Sequence, residues 1–416
     1  MTDYVPRIVD AQLTRALASS GAVLLEGARA TGKTRTAAEF AASQLHLDAT
    51  DSEAQLARTE PQLALPGATP RLLDEYQMVP GLWNEVRHEV DRRGERGQFI
   101  LTGSATPDSD PLRHSGAGRF RHILMRTMTF AETGHSTAEV SLRSLFTADQ
   151  VPLARSQVDL HEVVQRIVRG GWPGWYDLDE EEAQEQARSY IADIAQHDVV
   201  DVAGRNRNAR RLMAFFTAFA GLVAQPASYA AMRRRMQAED NLDYGERAPG
   251  VMLDLATRMF ICEDQPAWAP RLRSRTALIQ LPSRHFVDPS LSAALLRAGS
   301  ARLLSEMETL GYLFESQVVH DLRVYAQAMG ARGVFHYRDS KARDEMDAVV
   351  EDGEGNWIGV EVKLGEAQVD GAAANLLRVS KRIAKQSAAL VVITPTGIAH
   401  RRRDGVYAIP LTTLGA

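Results

Sequence analysis

The chain has 416 residues, of which 44% are apolar and 24% are charged, and its formal net charge is −5 at pH 7. This balance predicts a soluble globular protein of two to three domains, and the negative net charge means that any binding to nucleic acid must come from local basic patches. No stretch approaches the roughly 18 consecutive apolar residues of a membrane span, and the polar start Met1–Tyr4 is unlike a signal peptide. We therefore expect a cytoplasmic protein without a membrane partner. The single cysteine, Cys262, excludes an internal disulfide and a cysteine-based metal site.

The N-terminal part of the chain combines a strand, a glycine-containing loop and a helix. Residues 1–20 carry apolar positions at helical spacing, and Ala22–Leu25 is typical of a buried strand. Residues 34–44 again have the pattern of a helix. Between the strand and this helix, Gly27–Thr34 fits the pattern G-x-x-x-x-G-K-[ST], which is typical of a phosphate-binding loop.

Glycines let the backbone N–H groups of such a loop curl around an anion, and the following helix adds partial positive charge at its N-terminus. We predict that ATP and Mg²⁺ bind here, at Gly27, Ala28, Arg29, Ala30, Thr31, Gly32, Lys33 and Thr34. Lys33 is expected to reach the β- and γ-phosphates, and the Thr34 hydroxyl to hold Mg²⁺. Of the 48 lysine and arginine residues only five are lysine, so a lysine at position 33 indicates that a compact point charge is needed there.

A second buried strand ends in two adjacent carboxylates. Residues 70–75 form an apolar run that ends with Asp74 and Glu75, after a short alternating strand predicted for residues 45–50. In a nucleotide hydrolase Asp74 would join the Mg²⁺ shell, and Glu75 would orient or deprotonate the attacking water. Acidic pairs also cap helices, but the preceding phosphate loop favours the catalytic interpretation.

A third apolar run, residues 98–101, is followed by the small hydroxyl side chains of Thr102 and Ser104. Ligands bind at the carboxyl ends of strands in open α/β sheets, so these hydroxyls are candidates to sense the γ-phosphate or its water. A plain turn with a helix cap is the alternative. Arg119, in the basic segment 113–121, is the candidate for an arginine that stabilises transition-state charge in cis or in trans.

Helical patterning dominates residues 155–300, with helices predicted for residues 180–195 and 210–223. Two basic clusters in this region are candidates to contact DNA phosphates, because a helix-turn-helix places one helix beside a groove. An ordinary solvated surface is the alternative. The clusters consist of Arg205, Arg207, Arg210 and Arg211, and of Arg233, Arg234 and Arg235.

Near the end of the chain, two predicted strands form a hairpin. Residues 346–351 and 357–363 flank a turn rich in glycine and aspartate. Because side chains alternate along a strand, Glu361 and Lys363 point to the same face, and antiparallel pairing places Asp347 beside them. Two carboxylates can hold a divalent metal, and a lysine can position or activate water at a phosphodiester. The cluster is therefore a candidate for a second divalent-metal site.

Short motifs extend over nearly the whole chain. They are Glu26–Arg29, Gly32–Thr34, Leu73–Gln77, Leu101–Ser104, Gly118–Arg119, Gly170–Pro173, Phe286–Pro289 and Gly311–Glu315. With these motifs the chain resembles bacterial and archaeal AAA-superfamily ATPases whose C-terminal half is a domain of unknown function related to PD-(D/E)xK nucleases. The nuclease pattern Asp…Glu-x-Lys falls on Asp347, Glu361 and Lys363, and Glu315 matches the family's additional acidic position.

The resemblance implies an α/β protein with three parts. These are a three-layer AAA-type P-loop NTPase domain in residues 1–150, a helical, winged-helix-like middle in 151–300, and a restriction-nuclease-like mixed α/β domain in 301–416. We expect a Mg²⁺-dependent ATPase that couples ATP binding and hydrolysis to DNA binding or processing. The alternative is a nucleotide-switched module that binds DNA or a protein through a catalytically silent C-terminal domain. A metabolic kinase is disfavoured because no small-molecule acceptor site is recognisable.

Overall fold

The computed structural model describes residues 4–79, 81–104, 116–147, 151–198, 209–270, 280–339 and 344–416. These residues pack as two units. The first contains the described residues between 4 and 127 together with 255–261, and the second contains the rest of the described chain. The division into domains 1–150, 151–300 and 301–416 stays a prediction. Within the described ranges, no helix is both long enough and apolar enough to cross a lipid bilayer.

The first unit is built on a five-stranded sheet whose strands all run parallel. The strands are β1 (Ala22–Glu26), β2 (Ser43–His46), β3 (Arg71–Asp74), β4 (Phe99–Gly103) and β5 (Phe120–Leu124). The helices are α1 (Ile8–Leu17), α2 (Lys33–Phe40), α3 (Ser52–Thr59) and α4 (Leu82–Arg93). Across the sheet the order is β2-β3-β4-β1-β5, so the carboxyl ends of β1, β4, β3 and β2 follow one another along one edge.

Both faces of this sheet are covered by helices. Leu24 and Leu101 pack in one apolar cluster with Trp83 of α4, whereas Val23 packs in a second cluster with Leu13 of α1. Neighbouring residues of β1 therefore point to opposite buried faces. A strand buried on both faces is apolar without alternation, which is the pattern that identified β1, β3 and β4 in the sequence.

Two boundaries predicted in this unit are wrong. Helix α2 ends at Phe40 rather than at residue 44, because Ala41 adopts an extended conformation with φ −89° and ψ 135°. The strand predicted for residues 45–50 lies instead at Ser43–His46, where β2 pairs in parallel with β3. Pairing with a buried strand outweighs the helical pattern of residues 41–44, because propensity is a weak preference that tertiary contacts override.

The helical part of the second unit precedes its main sheet. Its helices are α5 (Ser144–Thr147), α6 (Leu160–Arg169), α7 (Glu180–Asp193), α8 (Ala209–Ala220), α9 (Tyr229–Asp240), α10 (Ala248–Arg258, whose last residues belong to the first unit), α11 (Ser290–Leu295) and α12 (Ser300–Ser305). Its short strands are β6 (Val140–Ser141), β7 (Ala154–Arg155) and the antiparallel pair β8 (Cys262–Gln265) and β9 (Ser283–Phe286). The helices predicted for residues 180–195 and 210–223 are confirmed as α7 and α8, and the winged-helix assignment stays a prediction. Arg113, His114, Arg205 and Arg207 lie outside the described residues.

A seven-stranded mixed sheet forms the rest of the second unit. Its further strands are β10 (Gly333–Arg338), β11 (Glu345–Glu351), β12 (Trp357–Val362), β13 (Ala389–Thr394), β14 (Ile398–Arg401) and β15 (Tyr407–Pro410), in the order β10-β11-β12-β13-β15-β14-β7. Helix α13 (Met307–Met329) contacts β10, β11 and β12, and α14 (Val369–Ser380) contacts β12 and β13. The terminal strand β16 (Leu414–Gly415) pairs in parallel with β6. The predicted hairpin is confirmed, because β11 pairs antiparallel with β12.

Candidate functional site

The loop between β1 and α2 has the backbone shape of an anion cradle. Gly27 has a φ of 152°, and a Cβ added there would lie 2.2 Å from the carbonyl oxygen of Met125. Gly32 at φ 94° and Ala30 at φ 61° also occupy the left-handed region. Glycine adopts this region at little cost, so the two glycines of the pattern let the chain turn sharply into the N-terminus of α2. The free N–H groups of that helix end point toward whatever the loop encloses.

Lys33 folds back over this loop. Its Nζ donates hydrogen bonds to the carbonyl oxygens of Gly27 at 2.9 Å and Ala28 at 2.8 Å, and the residue is only 5% exposed. Burial lowers the pKa of Lys33 to about 8, and the charges of Glu75 and Asp74 partly oppose this shift. A cation held out of water is stabilised by a nearby anion, so the site favours the phosphate groups of a nucleotide.

The carboxylate of Asp74 joins the ends of three strands and the start of α2. Its Oδ1 accepts hydrogen bonds from the hydroxyls of Thr34, at 2.8 Å, and of Thr102. Its Oδ2 lies 3.0 Å from Nδ1 of His46, the last residue of β2. A hydroxyl and a carboxylate in direct contact are hard oxygen donors of the kind that Mg²⁺ prefers, so Thr34 and Asp74 fit a Mg²⁺ site.

Glu75 leaves the strand in a left-handed conformation, with φ 53° and ψ 50°. Its N–H donates to the Thr102 hydroxyl at 3.0 Å, and its carboxylate accepts hydrogen bonds from Ser104 Oγ at 3.1 Å and from Gln77 Nε2. The structure therefore brings Asp74, Glu75, Thr102 and Ser104 together beside the loop. These four residues were predicted from the sequence because each is a polar side chain at or directly after the end of a strand.

Sequence patterns missed three residues that support the site. His46 contacts Asp74, and Gln77 contacts Glu75. Arg7 is buried and donates hydrogen bonds to the carbonyl oxygens of Thr31 in the loop, at 2.9 Å, and of Arg126, at 2.8 Å. His46 carries the same signal as Asp74, a polar side chain at a strand end, but the strand was predicted out of place. Arg7 has no such signal.

Arg119 is not brought to this site. It immediately precedes β5, and its carbonyl oxygen accepts a hydrogen bond from the N–H of Ala22, the first residue of β1. The loop follows the other end of β1, about 16 Å away for five residues at roughly 3.3 Å each. The Arg119 guanidinium forms an ion pair with Asp91 at 2.9 Å. A role in cis is therefore wrong, because the sheet separates Arg119 from the loop by the length of a strand.

The second cluster predicted from the sequence lies in the second unit, on β11, β12 and α13. Lys363 Nζ lies 2.7 Å from Glu361 Oε2 and 3.6 Å from Asp347 Oδ2. Asp347 Oδ2 also accepts a hydrogen bond from the N–H of Val362 at 2.7 Å, and Asn375 of α14 donates to Glu361 Oε1 at 2.6 Å. The hairpin pairing and the strand alternation thus place the three charged side chains together.

The carboxylates of this cluster influence one another. Burial and then the charge of Asp347 raise the pKa of Glu361 to about 7, against the opposing effect of Lys363. Burial and the same aspartate also raise the pKa of Glu315 on α13 well above its usual value. Burial acts to lower the pKa of Lys363, but Asp347 and Glu361 outweigh it and raise that pKa. Glu315 is thereby placed within electrostatic reach of the other three residues.

The Lys363 ammonium contacts the Glu361 carboxylate directly and offsets its negative charge. Among the described residues, no group of three or more histidine, cysteine, aspartate or glutamate side chains is spaced to hold a metal ion. The second divalent metal therefore remains a prediction.

Three stretches of the chain match models of known protein families. Residues 19–134 match the AAA domain family. The AAA domain contains the loop and the residues Asp74, Glu75, Thr102 and Ser104, and it confirms the prediction of an AAA-type, ATP-binding P-loop ATPase domain. Residues 160–302 match a domain of unknown function (DUF8612), and residues 310–414 match another (DUF4143). The relation of the C-terminal part to nucleases stays a prediction.

Similar proteins include an uncharacterized protein of Mycobacterium tuberculosis and one of Mycobacterium bovis. Each is 25% identical over 346 residues, which cover 82% of this chain and 70% of the relative. Among solved structures, a Walker-type ATPase of Pyrococcus abyssi aligns with a TM-score of 0.42 and 13% identity, over 71% of this chain and 96% of the other. The Drosophila ORC bound to DNA aligns with a TM-score of 0.19 and 12% identity, over 71% and 85%.

Proposed function

We propose that this chain is a Mg²⁺-dependent ATPase whose nucleotide state controls DNA binding or DNA processing by its nuclease-like C-terminal part. Residues 19–134, which match the AAA domain family, would supply ATP binding and hydrolysis. DNA processing by the C-terminal part is supported by the cluster of Glu315, Asp347, Glu361 and Lys363. Acidic side chains beside a lysine suit metal-assisted attack on a phosphodiester.

ATP binding is assigned to the loop and to Lys33. The loop N–H groups and the Lys33 ammonium would hold the β- and γ-phosphates, replacing the contacts of that ammonium with the carbonyl oxygens of Gly27 and Ala28. Thr34 and Asp74 would hold Mg²⁺, which supplies charge neutralisation at the phosphates when bound.

Hydrolysis is assigned to Glu75. Its carboxylate would orient the attacking water and accept its proton, while Ser104 and Gln77 fix the position of that carboxylate. Thr102 bonds both to Asp74 and to the N–H of Glu75, so a shift at the Mg²⁺ ligand would reach the water-orienting group through one side chain.

A DNA partner is supported by the basic side chains of the helical region. Arg234 and Arg235 are exposed on α9, whose Met232 and Met236 are buried. Arg210 and Arg211 instead donate hydrogen bonds to the backbone carbonyl oxygens of Asp240 and Asp243 in the same region. Phosphate contact is therefore assigned to Arg233–Arg235.

The first test is ATP hydrolysis by the purified chain with and without added DNA. We expect DNA to stimulate turnover, and Lys33→Ala to abolish turnover in both conditions because the phosphates lose their buried cation. Lys385→Ala is the matched control, since Lys385 is exposed. Unchanged turnover in Lys33→Ala would overturn the ATP-site assignment, and a wild-type rate indifferent to DNA would overturn the coupling.

A second candidate is a nucleotide-switched binding module with a catalytically silent C-terminal part. The direct contact of Lys363 with Glu361, 2.7 Å between Nζ and Oε2, favours it, because a carboxylate neutralised by lysine is a weaker metal ligand. Such a module would show nucleotide-dependent binding of DNA or protein without strand cleavage.

A further inference from the structure

A cavity of about 560 Å³ lies in the second unit beside the carboxylate and lysine cluster. Its walls include Glu315 of α13 and Asp347 of β11, which are members of that cluster, and Gln225 from the segment between α8 and α9. The volume lies within the range of pockets that enclose small organic ligands. The cavity is therefore continuous with the residues assigned above to phosphodiester chemistry.

One buried side chain in the wall of this cavity has an unused hydrogen-bonding atom. His336 of β10 is 7% exposed, and its Nε2 has no hydrogen-bond partner within the described residues. Burial, followed by the charge of Arg338, lowers the pKa of His336 to about 4, and the ring also hydrogen-bonds to the backbone of Leu281. The ring is thus neutral at pH 7. Because Nε2 has no partner, the bond to Leu281 uses Nδ1, and because this bond raises the pKa, its partner is the carbonyl oxygen. A neutral ring that donates from Nδ1 leaves a lone pair on Nε2, so Nε2 is an acceptor.

A buried acceptor without a partner is destabilising, and a ligand that donates a hydrogen bond would recover this loss. Glu315 and Asp347 add further acceptors to the same walls. A ligand that satisfies His336 must therefore present an N–H or O–H group to it. Tyr312 and Tyr337 also line the cavity, and tyrosine rings stack on flat heterocycles.

We infer that this cavity receives one unpaired nucleobase, with a preference for bases that carry an exocyclic amino group. The amino group of adenine, cytosine or guanine would donate to His336 Nε2. The phosphate of the same nucleotide would lie outside the cavity, toward the Lys363 ammonium, which attracts it. A base in a duplex uses its amino group for pairing and is covered on both faces, so only an unpaired base can enter. This inference rests on the proposed function, since it takes the neighbouring cluster as a phosphodiester site.

The test measures binding of labelled oligonucleotides to the full chain by fluorescence anisotropy, with EDTA present to prevent cleavage. The probes are single-stranded oligo(dA), single-stranded oligo(dT) and the oligo(dA)·oligo(dT) duplex. We expect the wild-type chain to bind oligo(dA) at least tenfold more tightly than oligo(dT). His336→Leu should abolish this preference without changing duplex affinity, whereas His336→Gln, which retains an acceptor, should keep part of it. His400→Leu, at an exposed position on β14, is the matched control.

Tyr312→Leu provides a second variant if His336→Leu does not fold, and it should weaken binding of both single strands. The inference would be overturned by a preference that survives in His336→Leu, by single-strand affinities unchanged in Tyr312→Leu, or by a preference that is lost equally in His400→Leu. Competition by adenosine monophosphate is measured in the Lys33→Ala background, in which the ATP site is silenced. This measurement shows whether the base in the cavity comes from a free nucleotide or from a strand.

The two proposals fail in different ways. If the wild-type chain binds neither strand nor duplex but binds adenosine monophosphate in a His336-dependent manner, the DNA function fails and the base site stands. If it binds DNA without discriminating between the two strands, the DNA function stands and the base site fails.

Discussion

Glu75 is held by three hydrogen bonds before any ligand is considered, two of them at its carboxylate. Its N–H bonds to Thr102, and its side chain bonds to Ser104 and Gln77. The left-handed backbone at Glu75 turns this side chain away from the direction that the strand would otherwise give it. Preorganisation of this kind is what a group that orients water requires, since the geometry is fixed in advance of the reaction.

We predict that Glu75→Gln retains ATP binding and lowers hydrolysis by about two orders of magnitude or more, because the amide cannot accept the proton of the attacking water. Steady-state turnover and nucleotide binding, measured on the same preparation, separate the two effects. Glu60→Gln, at an exposed position, is the control. Turnover near the wild-type rate in Glu75→Gln would show that another group orients the water.

At the scale of elements, the connection from β1 to α2 depends on a close approach of two backbone segments. A Cβ at Gly27 would lie 2.2 Å from the carbonyl oxygen of Met125, which follows β5. Gly118 also has a positive φ, 82°, but a Cβ there would meet nothing within 4 Å. Substitutions at these two glycines therefore separate the effect of a positive φ, which both share, from the effect of crowding, which only Gly27 has.

Gly27→Ala should destabilise the chain and abolish tight ATP binding, because the loop must move away from β5. Gly118→Ala should cost only about 1–2 kcal/mol, the strain of a side chain in the left-handed region, and leave ATP affinity unchanged. Thermal unfolding and nucleotide titration of both variants check this. Equal losses in the two would mean that the loop tolerates displacement.

The elements also show where sequence patterns stop being informative. Strands β1, β3 and β4 could be predicted because burial on both faces makes them continuously apolar, but β2 has the sequence Ser43-Gln44-Leu45-His46 and only Leu45 is fully buried. An edge strand that is half exposed has no such run, and its position is set by pairing with β3. The error displaced His46 from the strand end, and its contact with Asp74 was missed for that reason.

At the scale of the whole molecule, the C-terminal cluster decides between the two functional candidates. We predict that the wild-type chain nicks supercoiled DNA in Mg²⁺ or Mn²⁺, that chelation of the metal stops this activity, and that Lys363→Ala abolishes it through loss of the water-positioning cation. Gel analysis of plasmid DNA gives the measurement. Lys381→Ala, at an exposed position directly after α14, is the matched control.

Absence of nicking by the wild-type chain, together with DNA affinity that changes with the nucleotide, would favour the silent module. Nicking that persists in Lys363→Ala would remove this lysine from the mechanism while leaving a nuclease elsewhere in the chain.

The sequence predicted the charged residues of both sites more completely than their surroundings. Motif spacing and strand alternation were enough to place Lys33 with Asp74, and Lys363 with Glu361, because each pair depends on local geometry or on a single strand pairing. Arg119 and His336 show the limit. The direction of β5 relative to β1 puts Arg119 at the far edge of the sheet, and the burial of His336 depends on segments distant in sequence. Neither fact is encoded in a local pattern.

The pairing of β7 with β14 and of β6 with β16 bears on the order in which the chain folds. The five strands of the first unit are all present once residue 124 has been synthesised. Strand β7 must wait for its partner at residues 398–399, and β6 for its partner at residues 414–415. Contacts between such distant residues form late, because the intervening loop must close first. The parallel sheet can therefore form on the ribosome while the second unit is still incomplete. Until their partners are synthesised, the strands at residues 140–141 and 154–155 have unpaired edges, which favour aggregation of the nascent chain.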